Sequence, residues 1–344
     1  IISEITGAEA GFVSSGAAAG LTLSAAACIA KFDPSKMDKL PNTNDLNNEI
    51  IIPRSHRNTY DHAYRAAGAI LKEAGVDDRM AGAGVRGVGN IEIEDEITDK
   101  TVAIAYTAKS WSSPSIDDVV KIANKHTLPL IVDAAAEIPP LSNLNNFIKK
   151  GASLVVFSGG KALRGPQCSG IICGKKDLIS SAAIQCLDTD IIWETWNPPQ
   201  NLIDKNMLTR LPRNGIGRGF KVGKEEIVGL LTALKLNVKT GFQNDVKKWM
   251  DIINHVHNEL NDNSYFTPKK LIPEGEGVPL IEIKVNEELG VSAYEIVNKL
   301  KILDPPIHLN EKRGHENILT INPSNLNLNE TNIILDELKN FISR

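Results

Sequence analysis

Cysteine is scarce in this 344-residue sequence, and the four present do not form a pattern. Cys28, Cys168, Cys173 and Cys186 contain no CxxC pair and have no companion histidines at zinc-ligand spacing. A structural zinc site is therefore excluded, no metal is expected, and free thiols in a reducing, cytoplasmic compartment are expected. Positive charge is not in surplus either. Lys and Arg number 38 against 42 Asp and Glu, a formal net charge of −4, which disfavours a dedicated nucleic-acid binder. The pairs Lys149-Lys150 and Lys175-Lys176 are isolated and suit solvated helix ends. No run of about 18 apolar residues occurs, so no membrane span is expected. The dinucleotide pattern GxGxxG, the phosphate loop GxxxxGK[ST], the nucleophile elbow GxSxG and the zinc-protease motif HExxH are all missing, which argues against those four chemistries. There is no internal repeat.

What is present is an ordinary globular balance, 42% hydrophobic and 23% charged, in a chain long enough for two domains. Apolar runs alternate with helical segments through the first part. Strands are expected at Gly11–Ser14, Glu49–Pro53, Thr101–Tyr106, Leu128–Asp133, Ser153–Phe157 and Ser169–Cys173. Helices are expected at Ala17–Ala30, from about Asp61 to Glu73 with Asp61 as N-cap, from Ser115 to about Lys125, at Asn143–Lys150 and from about Asp177 to Cys186. The strands are continuous apolar runs without polar alternation, the mark of a mainly parallel sheet covered on both faces. After the Pro-rich stretch Trp193–Arg218 come two long helices, Lys224–Asn237 and Gln243–Leu260. Strand, helix, strand, helix follow at 279–285, 292–300, 318–322 and 330–341, a smaller α+β domain. The boundaries expected are a large domain over 1–218, and a linking helix with a small domain over 219–344.

In such sheets ligands sit at the carboxyl ends of the strands. Lys161 follows one such end in Phe157-Ser158-Gly-Gly-Lys161, where two glycines leave the backbone unhindered. Asp133 ends another, Leu130-Ile-Val-Asp133. A lysine and an aspartate so placed suit pyridoxal phosphate: the lysine forms an imine with the cofactor aldehyde, and the aspartate keeps the pyridine nitrogen protonated. Burial is expected to lower the Lys161 pKa and make it a competent amine. The bland alternatives are a loop lysine and a helix-capping aspartate. Ser15, Gly16 and Ala17 stand between a strand and a helix, an anion site suited to the cofactor phosphate, to which Ser158 adds a hydroxyl. His56 is the candidate to stack on the pyridine face, with His62 its competitor. Arg54, Arg164 and Arg218 are candidates for a substrate carboxylate or phosphate, alongside Arg57.

The segments Val132-Asp133-Ala-Ala-Ala-Glu137-Ile-Pro-Pro140 and Phe157-Ser-Gly-Gly-Lys161-Ala-Leu-Arg-Gly-Pro-Gln167 resemble the selenocysteine synthase-like (SelA-like) branch of the fold-type-I pyridoxal phosphate enzymes. So do Thr6-Gly-Ala-Glu-Ala, Ser15-Gly-Ala-Ala-Ala19 and Lys221-Val-Gly-Lys-Glu-Glu-Ile-Val-Gly-Leu-Leu231. That branch includes L-seryl-tRNA(Sec) selenium transferase and D-glucosaminate-6-phosphate ammonia-lyase. The resemblance implies an aspartate aminotransferase-like fold, Lys161 as the imine-forming lysine, Asp133 as the pyridine partner, and a homodimer or higher homo-oligomer. It also implies a segment ahead of Ile1 that helps line the site. The acidic balance and the lysine segment place the chain nearer the ammonia-lyase side, acting on an amino acid or amino-sugar acid rather than on tRNA. A selenium transferase-like activity and a non-catalytic member of the branch are the alternatives. Elimination, transamination, racemisation and aldol cleavage share the same residues.

Overall fold

The apolar runs of the first 200 residues assemble into one seven-stranded sheet. The computed structural model describes residues 1–76, 88–188, 190–273 and 277–342. They form two compact units, Ile1–Lys239 and Thr240–Arg344. The first unit thus includes the helix from Lys224 that sequence patterning groups with the smaller domain.

In chain order the first unit contains α1 (Ile2–Thr6), β1 (Ala10–Ser14), α2 (Ala17–Ala30), α3 (Pro34–Lys39), β2 (Glu49–Pro53), α4 (His62–Ala66), β3 (Ile70–Ala74), α5 (Asn90–Asp95), β4 (Thr101–Thr107), α6 (Ile116–Lys125), β5 (Leu130–Asp133), α7 (Asn143–Lys150), β6 (Leu154–Ser158), β7 (Gly170–Gly174), α8 (Lys176–Ile184) and α9 (Lys224–Thr240). The strand order is β1-β7-β6-β5-β4-β2-β3. Strands β2 to β6 pair in parallel, and β7 lies antiparallel between β6 and β1. Six strands therefore run one way and β7 alone runs against them.

The central strands are apolar along their length because both sheet faces are covered. Ile50, Ile51, Ile104, Ile131, Val132 and Val155 are fully buried. Helices α2, α4 and α8 pack together over one face, with α2 lying on β6 and β7; α6 and α7 cover β4, β5 and β6 on the other. Twelve residues of the Ala-rich α2 are buried, which its small side chains permit. Helix α6 is amphipathic and starts at Ser115, whose side chain accepts a bond from the Asp118 N–H.

One expected element divides in two. The helix predicted from Asp61 to Glu73 ends at Ala66, and Ile70–Ala74 joins the sheet as its edge strand. Gly68 turns the chain at φ 90°, its backbone against Pro41, so the helix cannot continue. Exposed Ile70 and the charged Lys72 and Glu73 hide the strand from an apolar-run criterion. Asp61 does precede α4, but its carboxylate caps nothing there; it is buried and receives Arg57 and Arg65 instead.

The second unit holds α10 (Gln243–Leu260), β8 (Phe266–Leu271), β9 (Leu280–Val285), α11 (Ala293–Lys301), β10 (Ile318–Ile321) and α12 (Leu328–Lys339). Its three strands are antiparallel in the order β10-β9-β8. Ile253, Val256, Phe266, Ile283, Ile296 and Leu338 anchor its own core. Among the described residues no helix is long and apolar enough to cross a membrane.

Candidate active site

Strand direction brings the candidate residues to one edge of the sheet. Ser14 and Ser158 both pair with Gly170, from opposite sides of β7. Asp133 pairs with Val156 of β6 and with Thr107 of β4. The carboxyl ends of β1, β4, β5 and β6 thus share a rim with the end of β2, from which the chain turns into Arg54–His56.

Asp133 is the last residue of β5. Its carbonyl accepts the Ala108 N–H at 2.9 Å, and its Oδ1 accepts the Ala135 N–H at 3.1 Å. The carboxylate has no ion-pair partner among the described residues. Burial raises its pKa, opposed by the Ala135 bond and by the charges of Lys109 and Lys161. A partly buried carboxylate without a cation fits a protonated pyridine nitrogen.

Lys161 rides on a tight loop between β6 and β7. The Gly159 N–H donates to Ser169 O at 2.9 Å, and Gly165 N–H donates to Gly159 O at 2.9 Å. A Cβ on Gly159 would stand 2.2 Å from Ser169 Oγ, and one on Gly160 would stand 2.7 Å from Gln167 Cα. Close approach, not rotational freedom, dictates both glycines. Asn237 of α9 anchors the loop by donating from Nδ2 to Leu163 O at 2.8 Å. The Lys161 side chain is exposed in the single chain, contrary to the apolar enclosure expected for it. Partial desolvation still draws its pKa below that of a free lysine, with Asp133 opposing and Lys109 assisting.

His56 is buried and His62 exposed, which separates the two histidine candidates. The Thr107 N–H donates to His56 Nδ1 at 3.3 Å, so the neutral ring carries its proton on Nε2. Tyr106 meets the ring edge-on at 4.6 Å between centroids. Nε2 is buried without a hydrogen-bond partner among the described residues. Desolvation lowers the His56 pKa to about 4, with the Ser113 backbone opposing.

At the other side of the rim, Ser14 Oγ donates to Gly16 O at 2.9 Å and shapes the turn into α2. Gly16 has φ 133°, a conformation that favours glycine. The space where its Cβ would stand is open, while a Cβ on Gly170 would meet Gly16 C at 2.6 Å. Among the described residues no side chain caps α2, and no acid lies in its first turn, so its N–H groups suit an anion beside Ser15 and Ala17. This cradle, the orphaned His56 Nε2 and the unpaired Asp133 together fit pyridoxal phosphate.

The arginine candidates are not gathered on this rim as free cations. Arg54 pairs with Glu73 at 3.6 Å, Arg57 with Asp61 and Glu73, and Arg218 with Asp188. Arg164 is exposed on the Lys161 loop at φ 55°. Two residues escaped sequence reasoning. Lys109 follows β4, Glu137 follows β5, and Lys109 Nζ donates to Glu137 Oε1 at 2.7 Å. The strand-end rule that singled out Asp133 applies equally to β4 and leads to Thr107 and Lys109. A cavity of about 580 Å³ opens at the opposite edge of the sheet, between Lys31, Asn47, Val102, Leu128 and Lys175, far from these groups along the strands.

A family model described as SelA: L-seryl-tRNA selenium transferase matches residues 64–188. The D-glucosaminate-6-phosphate ammonia lyase of Salmonella typhimurium is 26% identical over 354 residues, covering 98% of this chain and 83% of that protein. The 5'-C-glycyluridine monooxygenase-decarboxylase of a Streptomyces species is 30% identical over 239 residues, 68% of this chain; the chain spans 51% of that relative. A solved structure of D-glucosaminate-6-phosphate ammonia-lyase superposes with a TM-score of 0.77 at 26% identity, over 99% of this chain and 83% of that one.

Proposed function

From a chain that is a SelA-like enzyme of pyridoxal phosphate fold type I, we propose a lyase that carries out α,β-elimination on an amino acid or amino-sugar acid and releases ammonia. The observation that carries the reading is the pair Asp133 and Lys161, an unpaired carboxylate and a lysine of lowered pKa whose charges act on each other at adjoining strand ends.

Pyridoxal phosphate bound here supplies an electron sink for the carbon that carries the substrate amine. The α2 N-terminus with Ser15, Gly16 and Ala17, joined by Ser158, holds its phosphate. Asp133 keeps the pyridine nitrogen protonated. His56, buried beside this rim with its pKa lowered to about 4 by desolvation, would add no positive charge near the ring. Lys161 attaches the group and, once released, takes the α-proton. The same ammonium then gives a proton to the departing β-hydroxyl, which leaves as water. The dehydrated product hydrolyses to a keto acid and ammonia. The enzyme acts in the cytoplasm as a homodimer or larger homo-oligomer.

Purified protein supplied with pyridoxal phosphate should develop a visible absorption band, and borohydride should fix the cofactor to Lys161 by mass mapping. Lys161→Ala should lose both. Ammonia release from D-glucosaminate 6-phosphate and from hydroxy-amino acids then tests the reaction. A cofactor-supplemented protein without the band overturns the reading. The family-model match over residues 64–188 favours a second reading, transfer onto seryl-tRNA. Binding of tRNA that survives physiological salt, with no ammonia release, would establish it.

A further inference from the structure

An amino-acid substrate brings a carboxylate, and of the cations that patterning nominates for it Arg54 is paired with Glu73, Arg57 with Asp61 and Glu73, and Arg218 with Asp188, while Arg164 is exposed on the β6–β7 loop after Lys161 at φ 55°. The charges that act on Lys161 belong to Asp133, Lys109 and Glu137, and those on Asp133 to Lys109, Lys161 and Glu137. Lys109 is therefore the cation, besides Lys161 itself, felt at both groups.

Its position is fixed from two strands. Ala108, the residue before it, donates its N–H to Asp133 O at 2.9 Å. Glu137, on the turn after Asp133, takes one Lys109 N–H at 2.7 Å, and its own carbonyl accepts Asn143 Nδ2 at 2.7 Å. The Lys109 side chain is one-third exposed and that of Glu137 less so, so the pair is partly withdrawn from solvent. An ammonium has three donors. Glu137 uses one, and Lys109 has no other side-chain partner among the described residues.

We propose that Lys109 determines specificity by receiving the substrate carboxylate, so that the site selects amino acids over simple amines. Glu137 holds the ammonium in place through the 2.7 Å bond, and the two donors it leaves unused are those that would take the anion. The inference rests on the pyridoxal phosphate reading above.

Two amine-like reagents test it without knowledge of the substrate. Aminooxyacetate carries a carboxylate and methoxyamine does not, and both discharge the visible band of bound cofactor. The wild-type holoenzyme should favour aminooxyacetate. Lys109→Met should lower that preference by about tenfold or more, the scale of a hydrogen bond to a charged group, with the aminooxyacetate rate falling further than the methoxyamine rate. Lys109→Arg should keep most of the preference, and Lys109→Gln, which retains a polar contact to Glu137, should lose it as Met does. A variant lacking the charge that keeps the wild-type preference overturns the proposal; equal slowing with both reagents does so too, by making the pair a latch between loops. Absence of the band in wild type condemns the cofactor reading, whereas a band with an unchanged preference condemns only the assignment of Lys109.

Discussion

His56 accepts a hydrogen bond at Nδ1 from the backbone N–H of Thr107, across 3.3 Å from the turn after β2 to the last residue of β4. The bond fixes one tautomer in a buried ring whose pKa falls to about 4. An unfolded histidine titrates near 6.5, so between these values the unfolded chain binds a proton that the folded chain refuses. The stabilising effect of a neutral His56 is complete above pH 6.5 and declines as pH falls toward 4. Between pH 7 and pH 5 the loss should be about 2 kcal/mol. Urea unfolding of the cofactor-free protein at the two pH values should show that difference, and His56→Gln should flatten it.

Asp133→Asn should separate activity from stability. Its carboxylate is held with a raised pKa by burial, so in the cofactor-free protein the charged form costs stability as pH rises through the folded value, and none below 3.8. The variant should melt higher than wild type at pH 7 and lose that advantage in acid. Turnover should fall by roughly a hundredfold or more, the usual scale for removing a proton-managing group. A variant that is both less stable and fully active would contradict both roles.

Gly159→Ala tests the Lys161 loop without replacing a polar side chain. The new Cβ meets Ser169 Oγ at 2.2 Å and Leu230 Cδ1 at 2.6 Å, and the nearest backbone atom, Ser169 O, at 3.0 Å. Overpacking of this kind costs about 1–3 kcal/mol. A lower melting temperature should accompany a reduced yield of borohydride-fixed cofactor at Lys161.

Arg54→Met is expected to change KM by less than about threefold, because an exposed ion pair to Glu73 contributes little. Steady-state kinetics beside Lys109→Met would rank the two cations directly. A larger effect from Arg54 would return it to the substrate site.

The parallel sheet and most of its helices were legible because continuous apolar runs between capped helices leave few alternatives. Strand-end position then picked out Asp133, Ser158 and the Ser15-Gly16 turn, since direction alone places such residues on one rim. The edge strand at Ile70–Ala74 was hidden by its charges, as was β8, in which exposed Thr267 and Lys269 alternate with buried residues. The Lys109–Glu137 pair was hidden for another reason. A lone lysine and a lone glutamate in separate loops carry no local pattern; only the β4–β5 register makes them neighbours. Arg54 and Arg218 misled in the opposite direction, since their carboxylate partners, Glu73 and Asp188, lie well away from them in the chain.

The single antiparallel strand acts as a gauge block. With Gly170 bonded to Ser14 on one side and Ser158 on the other, the anion cradle and the lysine loop are held two strand spacings apart, about 10 Å. Backbone pairing sets that interval, and the positions that could upset it are few, Gly170 among them, since a Cβ there would meet Gly16 C at 2.6 Å. Side chains along this rim can therefore change while the distance between the α2 N-terminus and the Lys161 loop stays constant.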